Sequence, residues 1–321
     1  MENPEYLPFP HLDAPAAPPV AATILGAIGA GARCVRVLPG DAPDPVALHR
    51  ARLQLDVVAE LLERGTHSSS VPATDGLAAS SWSIRERGTA IFVTNPTDRT
   101  VVGSVFPAIP SIEVAPGHTK VVLLDLAIGP STNYLSAYAG LVKATVPVLH
   151  VDIRPDPHPG ARVVICGVPG ERTEIVLFHS GRGNAVAVTF EDHPTVIEVD
   201  SCLVVAWPDA LVPGLCFETD GSVTSGGWRV EADGRVHRWW SAQIVAPADA
   251  SAHLDPAPAL LWIEGRTVDP RDFELVAGPL RFHAAWPGTA EPADVLLLPD
   301  GACWALGIDA WSAESEEPRT P

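Results

Sequence analysis

From residue 82 onward the apolar positions of this chain recur every second residue in short runs, and each run closes on Gly, Pro, Asp or Asn. Trp82-Ser83-Ile84 alternates, and Thr89 to Thr94 is a nearly continuous apolar strand that ends at the turn Asn95-Pro96-Thr97-Asp98. Thr100 to Phe106 returns with Val101, Gly103 and Val105 on one face, and Ile112–Val114 and Lys120–Leu126 complete a sheet. A second β block predicts strands at Val146–Ile153, Arg162–Gly167, Thr173–His179, Ala185–Phe190, Thr195–Val199, Cys202–Trp207, Gly227–Glu231 and Arg235–Trp239. Asp233-Gly234 between the last two is the strongest hairpin signal in the chain. A third region carries Leu260–Ile263, Leu280–Ala285, Val295–Leu298 and Trp304–Ile308, and an acidic tail follows.

Before residue 66 the period is helical. Pro19 to Ala32 reads as a helix of small residues, whose glycines at 26, 29 and 31 permit close packing or end it. Arg33–Leu38 reads as a short strand. A second helix starts at Asp44-Pro45, with Asp44 as cap, carries Leu53, Val57 and Leu61 on one stripe, and ends at Gly65. The expected fold is mainly β: two or three antiparallel β-sandwich domains after a short α/β segment. Its divisions fall at 1–66 (α/β barrel remnant), 67–132 (first β-sandwich domain), 133–255 (second β domain) and 256–321 (C-terminal β segment).

Composition supports many short strands: 33 prolines and 26 glycines punctuate a chain of 321 residues that is 46% apolar. A net charge of −18 repels phosphate backbones and disfavours nucleic acid as a partner. The absence of an apolar run of about 18 residues disfavours a membrane span. The N-terminus MENPEYLPFPHLDAP lacks the basic region of a signal peptide. Five scattered cysteines (34, 166, 202, 216, 303), with no CxxC pair, read as free thiols of a reducing compartment, so the chain is expected to be cytoplasmic.

The run APGHTKVVLLDLAIGPSTNYLSAYAGLV resembles the first β domain after the barrel in family 35 glycoside hydrolases, the β-galactosidases. Lys120, Asp125, Gly129, Tyr134 and Ser136 stand in that family's order. RVVICGVPGERTEIVLFHSG resembles the strand–turn–strand that follows there, and TAIFVTNPTDRTVVGSVFP the sheet before it. AATILGAIGAGA followed by RCVRVLPG looks like the last helix and eighth strand of the barrel. The resemblance implies a carbohydrate, a galactoside above all, as ligand. It places the family's nucleophile at Glu5, which is followed by the aromatic Tyr6. Retaining glycosidases need a second carboxylate ~5–5.5 Å away, and the barrel strand that carries it in that family has no counterpart here. The resemblance therefore implies the non-catalytic C-terminal β portion of such an enzyme, bracing or completing a cleft supplied elsewhere. Its partner would be a chain carrying the missing barrel, or further copies of itself. The alternatives are a stand-alone carbohydrate-binding module and a structural sandwich protein.

Trp239-Trp240, with Trp228 nearby, form the candidate sugar-stacking platform. The competing reading is core packing plus one edge aromatic, which is commoner in β-sandwiches. His150 with Asp152 and His158, and the triplet Glu191-Asp192-His193, show no metal-ligand spacing, so no metal and no cofactor is expected. Gly181-Arg182-Gly183-Asn184 precedes a strand, not a helix, and reads as a turn.

Overall fold

The computed structural model describes residues 20–33, 35, 45–106, 108–128, 139–153, 160–179, 182–200, 202–246, 258, 260–263, 266–269, 278–287, 294–297 and 303–306. The fold is mainly β, with a short helical start. Helix α1 (Val20–Gly29) buries Ala21, Ala22, Leu25 and Gly29 along one side. Small residues let it lie close to the sheet beneath: a Cβ added at Gly29 would sit 2.6 Å from Cβ of Phe92. Side chains of the sheet cap its C-terminal carbonyls, of which Ile28 O also accepts from Gly31 N at 3.0 Å. Ser80 donates from Oγ to Gly29 O at 2.6 Å, His67 from Nε2 to the same oxygen at 2.8 Å, and Trp82 from Nε1 to Ile28 O at 3.1 Å. The second predicted helix is two: α2 (Pro45–Val57) and α3 (Ala59–Arg64), broken at Val58 with φ −105° and ψ 9°. The break lets Val58 and Leu61 both enter the core. Gly65 closes α3, donating to Leu61 O at 2.8 Å. Of the strand expected at 33–38, residue 34 and residues 36–38 lie outside the described residues, as does Asp44.

The strands follow as β1 (Thr66–Ser68), β2 (Ala78–Ile84), β3 (Gly88–Thr94), β4 (Val101–Val105), β5 (Ile109–Val114), β6 (Thr119–Ile128) and β7 (Ala139–Ala144). Next come β8 (Val148–Ile153), β9 (Ala161–Gly167), β10 (Arg172–His179), β11 (Arg182–Thr189), β12 (Thr195–Val199) and β13 (Cys202–Pro208), then a 3-10 turn at Asp209–Gly214. The last are β14 (Cys216–Phe217), β15 (Val223–Ser225), β16 (Trp228–Val230), β17 (Val236–Ala246), β18 (Leu260–Ile263), β19 (Arg266–Val268), β20 (Gly278–Pro287), β21 (Asp294–Leu297) and β22 (Cys303–Leu306).

Three sheets carry most of these strands. The first runs β1-β2-β3-β6-β7-β10-β11, the second β12-β13-β9-β8, and the third β14-β15-β16-β17-β20-β18-β19. In β6 Asp125 takes a left-handed φ of 51°. Pairing with β3 ends at Thr89↔Leu124, whereas pairing with β7 continues to Ile128↔Ala139. The strand thus changes direction at Asp125, and the first sheet curls over the core. The pairing is antiparallel except between β9 and β13, which run parallel from Leu203↔Arg162 to Pro208↔Gly167.

Strand pairing crosses the last two of the three divisions expected from the sequence. β6 and β7 join the segments on either side of 132/133, and β17 pairs with β20 across 255/256, from His237↔Pro287 to Ala246↔Gly278. Apolar runs separated by a turn found partners in a sheet already begun instead of starting new ones. The curled first sheet and one face of the second share a core that includes Phe92, Leu123, Leu141, Val163, Ile175 and Val204. The other face of the second sheet, through Val164, Val205 and Trp207, packs on Trp228 and Val230 of the third. Every residue of β9 and β13 is consequently buried, which explains sequences that are apolar throughout except for Arg162 in β9. On its far side the first sheet packs Ile91, Val93 and Val122 against the β4–β5 hairpin.

Cys166 and Cys202 are buried free thiols, whereas Cys216 is exposed. No helix among the described residues is long and apolar enough to cross a membrane.

The contact at Gly29 sets a test. Gly29→Ala should push Phe92 out of place and lower the unfolding free energy by ~1–3 kcal/mol, read from urea denaturation. An unchanged midpoint would mean that α1 does not rest on β3 at that point.

Candidate carbohydrate-binding site

The predicted hairpin at Asp233-Gly234 forms and sets the third sheet's register. Gly234 adopts φ 90° and donates to Glu231 O at 2.9 Å, and Glu231 N donates to Arg235 O at the same distance. Trp228 pairs with Arg238, and Arg229 with His237. Residues opposed across a ladder share a face and successive residues alternate, so Trp228 and Trp239 lie on opposite faces. Trp228 is 5% exposed and belongs to the core between the second and third sheets. The Arg238 guanidinium sits 4.1 Å from its ring centre, and the His193 ring stacks at 5.5 Å. No platform forms from Trp228 and Trp239 together, because the two-residue period separates them. The side chain of Trp240 lies outside the described residues, and so does Glu5.

On the outer face Trp239 acquires companions that its sequence neighbours did not announce. Trp262 from β18 meets it edge to face with ring centres 5.3 Å apart, and His283 from β20 stacks on it at 5.2 Å and 12°. Arg229 arrives from β16, the strand on the other side of β17, with its guanidinium 4.7 Å from Trp239 and 5.2 Å from Trp262. Arg229 and His283 thus flank Trp239, and the half-buried Trp262 is the ring at the margin of the cluster. In the sequence Trp262 reads only as part of the apolar run Leu260-Leu261-Trp262-Ile263. Its pairing with His283 is what brings it to the site.

Arg229 is held by carboxylates. Nε donates to Glu231 Oε1 at 2.8 Å and Nη2 to Asp220 Oδ2 at 2.5 Å. Burial works against its charge, but hydrogen bonds and attraction from Glu231 and Asp220 outweigh that and raise its pKa. Asp220 also accepts from Ser222 N at 2.9 Å and Ser222 Oγ at 2.7 Å. Burial pushes its pKa up, but the Ser222 hydrogen bonds and Arg229 more than cancel this, leaving the carboxyl below its ordinary value. Its side chain stays 56% exposed and is a fixed, ionised acceptor beside the aromatic cluster. Asp220 and Glu231 grip one guanidinium. Such a pair supplies acceptors for hydroxyl groups; a glycosidase's general acid instead needs a carboxyl whose pKa is raised.

Other charged clusters noted in the sequence also form. His150 Nε2 lies 3.3 Å from Asp152 Oδ2, and His193 Nδ1 lies 2.8 Å from Asp192 Oδ1. Among the described residues no group of three His, Cys, Asp or Glu side chains is placed to hold a metal ion.

His237 is 3% exposed, and neither ring nitrogen has a hydrogen-bond partner among the described residues. Burial lowers its pKa, and burial also lowers that of His283. For both, the unfolded chain binds more protons than the folded one, so stability should be complete above the ordinary histidine value of about 6.5. It should fall as the pH drops from there towards the lower folded values. Thermal unfolding followed between pH 7.5 and 5 should show this loss, and His237→Phe should reduce its slope. A melting temperature flat across that range would refute the assignment.

No family model matches this chain, and no curated protein matches it, so the reading of the site rests on its own geometry.

Proposed function

We propose that this chain is the non-catalytic β portion of a β-galactosidase-like glycoside hydrolase, and that it contacts galactosides through the outer face of its third sheet. The single observation that supports this most is Trp262, set edge to face against Trp239 beside the exposed, ionised Asp220. An aromatic ring offers its face to the C–H side of a pyranose, and a fixed carboxylate accepts from its hydroxyls. Further support comes from the segment that resembles the family, which supplies β6 and β7 at the centre of the first sheet. In this reading a partner chain carries the catalytic barrel, and the sandwich braces it and completes its cleft. The buried free thiols of Cys166 and Cys202 suit a reducing compartment, the cytoplasm.

Titration with galactose and lactose, followed by tryptophan fluorescence, tests the proposal. Saturable quenching should appear, and Trp262→Ala should weaken binding by about tenfold, equivalent to ~1.4 kcal/mol. The purified chain should leave nitrophenyl galactosides intact. No saturable change with either sugar would overturn the binding role, and hydrolysis by the chain alone would overturn the non-catalytic one.

A further inference from the structure

A concavity lies where α2 meets the edges of two sheets, beside the core that holds Trp207 and Trp228. Leu53, Asp56 and Val57 of α2 form one wall; Leu149, His150 and Val151 of β8 and Phe217 of β14 form the rest, around a cavity of about 430 Å3. That volume lies within the range of small-molecule sites, which favour junctions of this kind. β8 is an edge strand of the second sheet and β14 of the third, so among the described residues no further strand closes the opening on either side.

The lining has a definite chemistry. Leu53, Val57, Leu149, Val151 and the Phe217 ring line it, and its accessible surface is divided between apolar and polar atoms. His150 stacks against Phe217 with ring centres 4.2 Å apart. The polar groups at the cavity are Asp56 and His150, and behind His150 stands Asp152. Burial pushes the Asp152 pKa up, but hydrogen bonds from His150 and Arg162 outweigh that and hold it below the ordinary range. Arg162 is committed to Asp152 through Nε at 3.0 Å and Nη2 at 2.5 Å, and its Nη1 to the carbonyl of Gly221. Arg52 approaches Asp56 only loosely, at 3.8 Å, with both side chains largely exposed. The cavity therefore offers one largely exposed carboxylate, that of Asp56, beside an aromatic ring and partly apolar walls, on a chain whose net charge is −18.

We propose that this cleft binds a small organic cation: a protonated amine on an apolar or aromatic body. The ammonium group would take the Asp56 carboxylate in place of the loosely held Arg52. Its body would lie along the half-buried Val57 and Phe217, and the Phe217 ring would add the attraction of an aromatic face for a cation. The proposal does not depend on sugar binding at the third sheet.

Calorimetry with two probes of equal size tests it, at about pH 8, where a primary ammonium is still protonated. Phenethylamine should bind, and 2-phenylethanol, the neutral counterpart, should bind at least about tenfold more weakly. Asp56→Asn should lower phenethylamine affinity about fivefold, as expected for one partly exposed charge pair. Phe217→Ala should lower affinity for both probes, with circular dichroism confirming that each variant is folded. Equal binding of the two probes, an unchanged affinity in Asp56→Asn, or no heat with either probe would each overturn the proposal.

Discussion

Arg162 carries a full positive charge into a place where almost nothing else is polar. It sits near the start of β9, in the run Ala161–Gly167 whose every residue is buried, and its side chain is 2% exposed. Burying an unpaired ion would cost several kcal/mol. The cost is offset because the guanidinium meets both oxygens of Asp152 on the neighbouring strand β8 and the carbonyl of Gly221 in the turn before β15. One side chain therefore ties the edge of the second sheet to the third. Asp152 in turn holds His150, which leans on Phe217 of the third sheet. The clasp sits beside the apolar core of Val164, Val205, Trp207, Trp228 and Val230 that packs the same two sheets together.

The same economy of positive charge recurs through the molecule. Asp and Glu number 39 and Lys and Arg 21, and the most deeply placed cations act as internal clamps. Arg229 joins Asp220 to Glu231 and fills the space between two tryptophans, while Arg50 donates to Asp209 at 2.8 Å and fixes α2 to the 3-10 turn. Among the described residues, carboxylates without such partners remain on the surface. A molecule of this net charge attracts cations and repels phosphates.

Much of the architecture was legible because its causes are local. Thr195–Val199 and Leu260–Ile263 appear as strands over the residues predicted, and Cys202 begins the strand predicted there. The small-residue helix rests on Phe92 through Gly29, as its glycines suggested. The rest depended on contacts between distant residues. Nothing near residue 132 shows that Ala139–Ala144 will pair with β6, and the β9–β13 parallel pair joins segments about forty residues apart. The two-residue period could have separated Trp228 from Trp239 once the hairpin at Asp233-Gly234 was recognised. Trp262, His283 and Phe217 could not have been found this way. They reach their sites through strand pairing and sheet packing, and their own sequence neighbourhoods look like ordinary strand.

Hydrogen exchange resolved to short peptides, comparing the wild-type chain with Arg162→Met, bears most directly on the clasp. Amides of Val148–Ile153 and of Cys216–Ser225 should lose protection together, while β3 and β6 in the first sheet keep theirs. If the two segments kept full protection, or if only one of them loosened, Arg162 would not be what holds the second and third sheets together.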